Sequence, residues 1–200
     1  MIGRWVPVAS AVGVLAAACG ASSDEPFLRQ TFGFTFESDL GRWMADGTDL
    51  DDPPVTWSVE RSDDLAESGD WSVRLSLDNL NDAGKIWMER AFELQPGATY
   101  DVEAAFDFAS ADFGDIGLWT IIAGVSEADP ETVDDLAFRD ETGNGASDDV
   151  GHVWGARTYS LGMATAGGDG LLWVALGVWG TFETPRTYFV DDLELTFTRR

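Results

Sequence analysis

Cysteine is nearly absent from this 200-residue chain, with Cys19 the only one. No internal disulfide can form, so core packing, hydrogen bonds or a metal must hold the fold. Histidine occurs once, at His152, and lysine once, at Lys85. One histidine and one cysteine exclude Cys–His nucleophilic chemistry and zinc sites built from several histidines. A Ser-His-Asp set would have to run through His152, and the sequence has no G-x-S-x-G elbow. Cations as a class are scarce: 12 Lys and Arg stand against 36 Asp and Glu, a net charge of −24. So acidic a chain repels nucleic acid, whose phosphates are bound by Lys and Arg. It also repels anionic lipid headgroups. The charge suits divalent cations, and equally suits solubility in salty surroundings.

Long hydrophobic runs are missing too. The longest, Val6 to Ala18 behind Arg4, has 13 residues. That is too short to span a bilayer and right for the core of an export signal. Its end, Leu15-Ala16-Ala17-Ala18-Cys19-Gly20, resembles a bacterial lipoprotein signal, although Leu15 stands four residues before the cysteine rather than three. That resemblance implies lipidation of Cys19, an exported protein of the cell envelope, and membrane contact through the N-terminal lipid alone. The alternative is an ordinary secretory signal cut near Ala18 or Ala21. On either reading residues 1–18 lie outside the fold, and residues 19–30 form a flexible tether. Removing residues 1–18 leaves 11 basic against 36 acidic residues, a net charge of −25.

Helical periodicity is absent from the remainder, and alternation takes its place. The segment Thr99–Phe108 sets Tyr100, Val102, Ala104, Phe106 and Phe108 against Asp101, Glu103 and Asp107. Similar patterns over Thr31–Glu37, Val55–Glu60, Trp71–Leu77, Lys85–Leu94, Ile116–Ser126 and Val153–Gly162 predict strands. So does Leu171–Phe197, read as two strands joined by a turn. About nine strands with regularly spaced turns predict one all-β domain over residues 31–198, an antiparallel β-sandwich. In Leu171–Phe197 the aliphatic row Leu172, Val174, Leu176 and Val178 predicts core. The opposite row, Trp173, Ala175, Gly177 and Trp179, predicts an open aromatic surface, since side chains alternate across a strand. Asp191-Asp192 lies between apolar residues of the last strand, where aspartate is disfavoured, and a bound cation would account for it. Ala45–Pro54 reads as a loop. So does Glu127–Gly151, with nine acids and one arginine, apart from a helical turn expected over Val133–Phe138.

Four pieces in order carry a family resemblance: Phe36-Glu37 with Gly41 and Trp43; Glu67 to Leu75; Phe92 to Tyr100; and Tyr188 to Leu193. Together they resemble carbohydrate-binding modules of the group containing families four, nine and twenty-two, which are galactose-binding-domain-like jelly rolls. The resemblance implies a structural Ca²⁺ near Glu37, the backbone of Gly69 to Trp71, and Asp191 or Asp192, a donor set of the oxygen type Ca²⁺ takes. It also implies a polysaccharide ligand stacked on Trp119, Trp154, Trp173 and Trp179, with Trp87 a further candidate. Glu89, Arg157 and His152 would be the polar partners, and His152 reads more readily as a surface or loop-packed residue. Stacking of this kind is a hydrophobic contact with fixed geometry. For each tryptophan, core packing is the competing assignment.

No catalytic residue is assigned. With 36 acids, some carboxylate pair always lies at a glycosidase spacing, so such a pair means little, and no E-x-D-x-x-E signature is present. Asp140 to Gly145 imitates the start of an EF-hand, but Gly151 stands where the bidentate glutamate is required. The expectation is a non-enzymatic polysaccharide-binding lipoprotein. Its rivals are a structural or protein-interaction envelope protein with the same fold and, third, a glycoside-active enzyme.

Overall fold

The computed structural model describes residues 28–115 and 119–200. Cys19, the export signal and most of the expected tether lie outside the described residues, as do Ile116, Gly117 and Leu118. The described chain forms eleven strands: β1 Arg29–Phe34, β2 Met44–Thr48, β3 Trp57–Ser62, β4 Ser72–Leu77, β5 Lys85–Glu93, β6 Thr99–Ser110, β7 Thr120–Ser126, β8 Ala137–Glu141, β9 Val153–Thr165, β10 Leu171–Trp179 and β11 Arg186–Arg199. One short 3₁₀ turn, Val133–Asp135, precedes β8. Among the described residues no helix is long and apolar enough to cross a membrane.

Two antiparallel sheets pack face to face. One has the order β3-β4-β11-β6-β9, with β1 also pairing to β11, and the other runs β2-β5-β10-β7-β8. Alternation selects the core as expected: Leu172, Val174, Leu176 and Val178 of β10 meet Tyr100, Val102, Phe106 and Phe108 of β6. Arg90, the one charged member of the inner row of β5, lies with its guanidinium 4.8 Å from the Phe34 ring and 4.9 Å from that of Phe92. It donates to the Gly41 carbonyl, and burial pulls its pKa down.

Two strands lie where loops were expected. β2 and β8 are the two edges of the five-stranded sheet, and their sequences, MADGT and AFRDE, carry charge. Charged residues are how edge strands avoid further pairing, and they also erase the alternation on which a sequence reading depends. The first strand begins at Arg29 rather than Thr31, and Arg29 pairs with Thr198.

Asp191 and Asp192 mark a seam. Along one edge of β11, pairing with β4 ends at Val190 opposite Val73, and pairing with β1 begins at Leu193 opposite Phe34. On the other edge the register to β6 shifts between Asp191 and Glu194, and Asp192 has φ of 47°. This β-bulge changes the phase of the strand. Tyr188 and Val190 face the core before it, and Leu193, Leu195 and Phe197 after it. The Asp191 carboxylate is fully buried and accepts N–H bonds from Glu67 (3.0 Å), Ser68 (3.1 Å) and Asp192 (2.8 Å). Without Asp191 the amides of Glu67 and Ser68 lose their acceptor. Asp191→Ala is expected to cost about 3 kcal/mol, because buried N–H groups left unpaired lose their solvation without replacement. Urea unfolding measures it, and a loss below about 0.5 kcal/mol would mean the two amides are met by water instead.

Candidate functional site

The outer face of the five-stranded sheet is set by register. β10 contributes Trp173, Ala175, Gly177 and Trp179. Opposite them stand Ala91, Glu89, Trp87 and Lys85 of β5 on one side, and Ser126, Gly124, Ile122 and Thr120 of β7 on the other. Met44, Asp46 and Thr48 of β2 extend the face beyond Glu89, Trp87 and Lys85. Six residues at about 3.3 Å each separate Trp173 from Trp179 by roughly 20 Å. Both are half-buried, as a stacking platform requires. Trp179 carries the Lys85 ammonium 4.7 Å from its ring centroid, and that ammonium is paired with Asp49.

The middle of the face is closed. Trp87 is fully buried in a small second apolar cluster with Ile122, Leu136 and Ala175. Leu136 reaches it from the β7–β8 connection, whose backbone lies directly on the sheet: a Cβ on Gly124 would come within 2.2 Å of the Asp135 carbonyl oxygen. Gly177 is equally constrained, since a Cβ there would lie 2.0 Å from the Ile86 carbonyl oxygen and 2.5 Å from the Trp87 Cα. The small residues between the two indoles are therefore small because other chain lies against them, not to leave an open surface.

Several predicted ligand residues are elsewhere. Trp119 has the same parity as Ile121 and Ala123, all three in the main core, and is fully buried. Its Nε1–H donates to the Phe182 carbonyl at 3.3 Å, so it offers nothing to a ligand. Trp154 pairs with Ala109, which faces outward on the six-stranded sheet, the opposite side of the molecule. There His152 stacks edge-on against Phe189 at 5.1 Å and donates to the Thr187 carbonyl at 3.1 Å, a packed role. Arg157 lies opposite Phe106, donates to the Gly143 carbonyl at 3.0 Å and approaches Asp140 at 3.7 Å. Glu89 is on the expected face but 4 % exposed, accepting the Trp87 indole N–H at 2.7 Å.

Glu89 is also electrostatically unusual. Burial pushes its carboxyl up to about 7, the Trp87 N–H opposes this, and neighbouring Asp129 and Asp46 raise it further. Asp129 belongs to the β7–β8 connection and stands close enough to Glu89 to act on its charge. The sequence gives no sign of this pairing, because the two residues belong to separate elements.

The predicted metal residues do converge. The Glu37 carboxylate accepts the backbone N–H of Trp71 at 3.0 Å and of Asp70 at 3.1 Å. A Cβ on Gly69, whose φ is +64°, would lie 2.4 Å from Glu37 Oε1, so the turn requires glycine. Asp192 Oδ1 accepts the Ser68 hydroxyl at 2.9 Å. The Arg61 guanidinium lies 3.5 Å from the Trp71 ring centroid and donates to the Phe36 carbonyl at 2.6 Å. The oxygens are of the kind Ca²⁺ takes, yet those of Glu37 and Asp191 face N–H groups. Among the described residues no three acid, histidine or cysteine side chains are grouped so that they could hold one metal ion.

No protein-family model and no curated protein matches the chain. Solved structures do. A structure from work on the promiscuous specificity of carbohydrate-binding modules of the β-sandwich superfamily aligns with a TM-score of 0.50 and 17 % identity, over 86 % of this chain and 62 % of that one. The K2 cleaved adhesin domain of Lys-gingipain aligns with a TM-score of 0.50 and 17 % identity, over 82 % and 97 %. The module TmCBM61, solved in complex with β-1,4-galactotriose, aligns at 0.47 and 18 %, over 80 % and 92 %. The chain thus has the antiparallel β-sandwich fold of carbohydrate-binding modules, and at these identities the likeness concerns the fold.

A pH prediction follows from Glu89. The native state holds its proton up to about 7, the unfolded chain only to the ordinary 4.5. The resulting stabilisation is complete below 4.5 and lost as pH rises through about 7. Glu89→Gln is therefore expected to leave the melting temperature near pH 5 almost unchanged and to raise it near pH 8, by on the order of 2 kcal/mol of stability. Calorimetry at the two pH values checks this, and equal shifts at both would refute it.

Proposed function

We propose that this protein binds polysaccharide without cleaving it, on the outer face of the five-stranded sheet. The observation that carries the reading is the placement of Trp173 and Trp179, both half-buried on one face of β10. Pyranose faces stack on indoles by hydrophobic contact with defined orientation. The carbohydrate-binding modules that share the fold support the same reading, and the lack of a catalytic constellation in the sequence agrees with it. Trp173→Ala and Trp179→Ala are each expected to weaken binding to insoluble polysaccharide about tenfold or more, the equivalent of about 1.4 kcal/mol, while the melting temperature is retained. Undiminished binding in both folded variants would remove this face from the account.

The reading extends to place and metal. Lipidation of Cys19 would hold the domain at the cell envelope, supported by the signal-like sequence before it, and the mass of the mature N-terminal peptide tests it. A structural Ca²⁺ at the seam of β11 is supported by the convergence of Glu37, Asp191 and Asp192 on the turn 67–71. It would use lone pairs that the N–H groups leave free. Chelator is expected to lower the melting temperature and added Ca²⁺ to restore it. An unchanged melting temperature would assign the junction to the N–H bonds alone.

A second reading, adhesion to a protein surface, is favoured by one observation. The β4–β5, β6–β7, β8–β9 and β10–β11 connections gather at one end of the sandwich. Each presents an exposed large apolar residue: Leu80, Phe113, Val150 and Phe182. The similarity to an adhesin domain is in keeping with this use. Polysaccharide binding that survives Leu80→Ser with Phe182→Ser, but not Trp173→Ala, would separate the two.

A further inference from the structure

The segment from Glu127 to Leu136 lies across the aromatic face and divides it. Trp173 stands at one end and Trp179 at the other, and between them Leu136 packs on Trp87, Ile122 and Ala175. The covering is thin. Leu136 and Pro130 are buried, while Glu127, Ala128, Asp129, Glu131, Thr132, Asp134 and Asp135 are exposed. Its internal bonds are local: Asp135 N–H donates to the Thr132 carbonyl at 3.2 Å, and Asp134 N–H to the Thr132 hydroxyl at 3.3 Å. A segment with few buried anchors and exposed backbone belongs to the low-stability end of a fold.

Its Asp129 stands beside Glu89, which accepts the indole N–H of Trp87 at 2.7 Å, the ring that Leu136 covers. Protonated Glu89 can donate to the Asp129 carboxylate. Ionised Glu89 cannot, and then faces Asp129 from the segment and Asp46 from β2 in a partly desolvated site. From β10 the facing residue is Ala175, which brings no charge. On β5 itself Lys85 is the cation of this face, and it is committed to Asp49 and the Trp179 ring. Glu93, farther along β5 on the same face, adds another negative charge. Glu89 and Asp46 are fixed by strand pairing, so the repulsion is relieved most readily by moving Asp129.

We propose that Glu127–Leu136 is a strap that closes the aromatic face, and that it lifts when Glu89 ionises beside Asp129 and Asp46. Lifting uncovers Trp87 and Ala175 and joins Trp173 and Trp179 into one continuous face. The purpose of the strap rests on the polysaccharide-binding reading of this face, whereas its opening does not. The closed state is the low-pH state, and the transition falls near neutral pH because burial and the two neighbouring acids hold the Glu89 proton there.

Hydrogen exchange of the 127–136 amides near pH 6 and near pH 8, corrected for intrinsic rates, reads the strap directly. Protection is expected to fall about tenfold or more at the higher pH. Asp129→Asn places an N–H donor against ionised Glu89 and is expected to stay protected at both pH values. Leu136→Ala is expected to lose protection at both, with the β6 and β11 amides as the control for global folding. Equal protection of the wild-type strap at the two pH values overturns the proposal. Binding of soluble xylan and of galactan, measured at the same pH values, separates strap from function. Binding stronger near pH 8 in the wild type and flat in Asp129→Asn supports both. A strap that opens while neither polysaccharide binds leaves the strap standing and sinks the polysaccharide reading. Binding equal at both pH values while the strap opens shows that it does not gate the face, and overturns the gating.

Discussion

One edge of β11 has to serve two partners in succession. β4 takes its first half and β1 its second, so the strand must pass from one register to another without losing the core. A single bulge does this. It needs an acceptor for the amides of the 67–71 turn, which packs into the gap, and the buried Asp191 carboxylate supplies it. Glu37 performs the same service from the other side. The first strand, the β3–β4 turn and the last strand are thereby tied at one junction, in a chain with no disulfide among its described residues.

The same close approach of chain to chain shapes the opposite sheet. Gly124 and Gly177 are small because a carbonyl oxygen lies where their Cβ would be. A row of small residues between two tryptophans has the same sequence whether it is bare or covered. Here Ala175 is covered by an acidic segment and Gly177 by the neighbouring strand β5. The aromatic face is consequently a property of two elements, the strand that bears the indoles and the connection that lies over them.

Electrostatics in so acidic a molecule is concentrated where acids meet away from water. Most of the carboxylates among the described residues lie on solvated surfaces, where repulsion is screened. Glu89 is different because it is buried next to two others, and so holds a proton near neutral pH. Net charge alone indicates none of this.

The chain's alternation determined the fold class. The inner rows of β6 and β10 follow from period two, and no other element type buries them. The bulge too is written in the sequence, as a change of phase from Tyr188 and Val190 to Leu193, Leu195 and Phe197. Edge strands β2 and β8 escaped because charge, not alternation, governs edges. Which indoles face solvent was decided only in three dimensions. Trp119, Trp87 and Trp154 have the same residue type as Trp173, yet one lies in the core, one under a strap and one on the far sheet. Parity assigns a residue to a side of its strand. Only the packing of other elements decides whether that side is core, covered face or open surface.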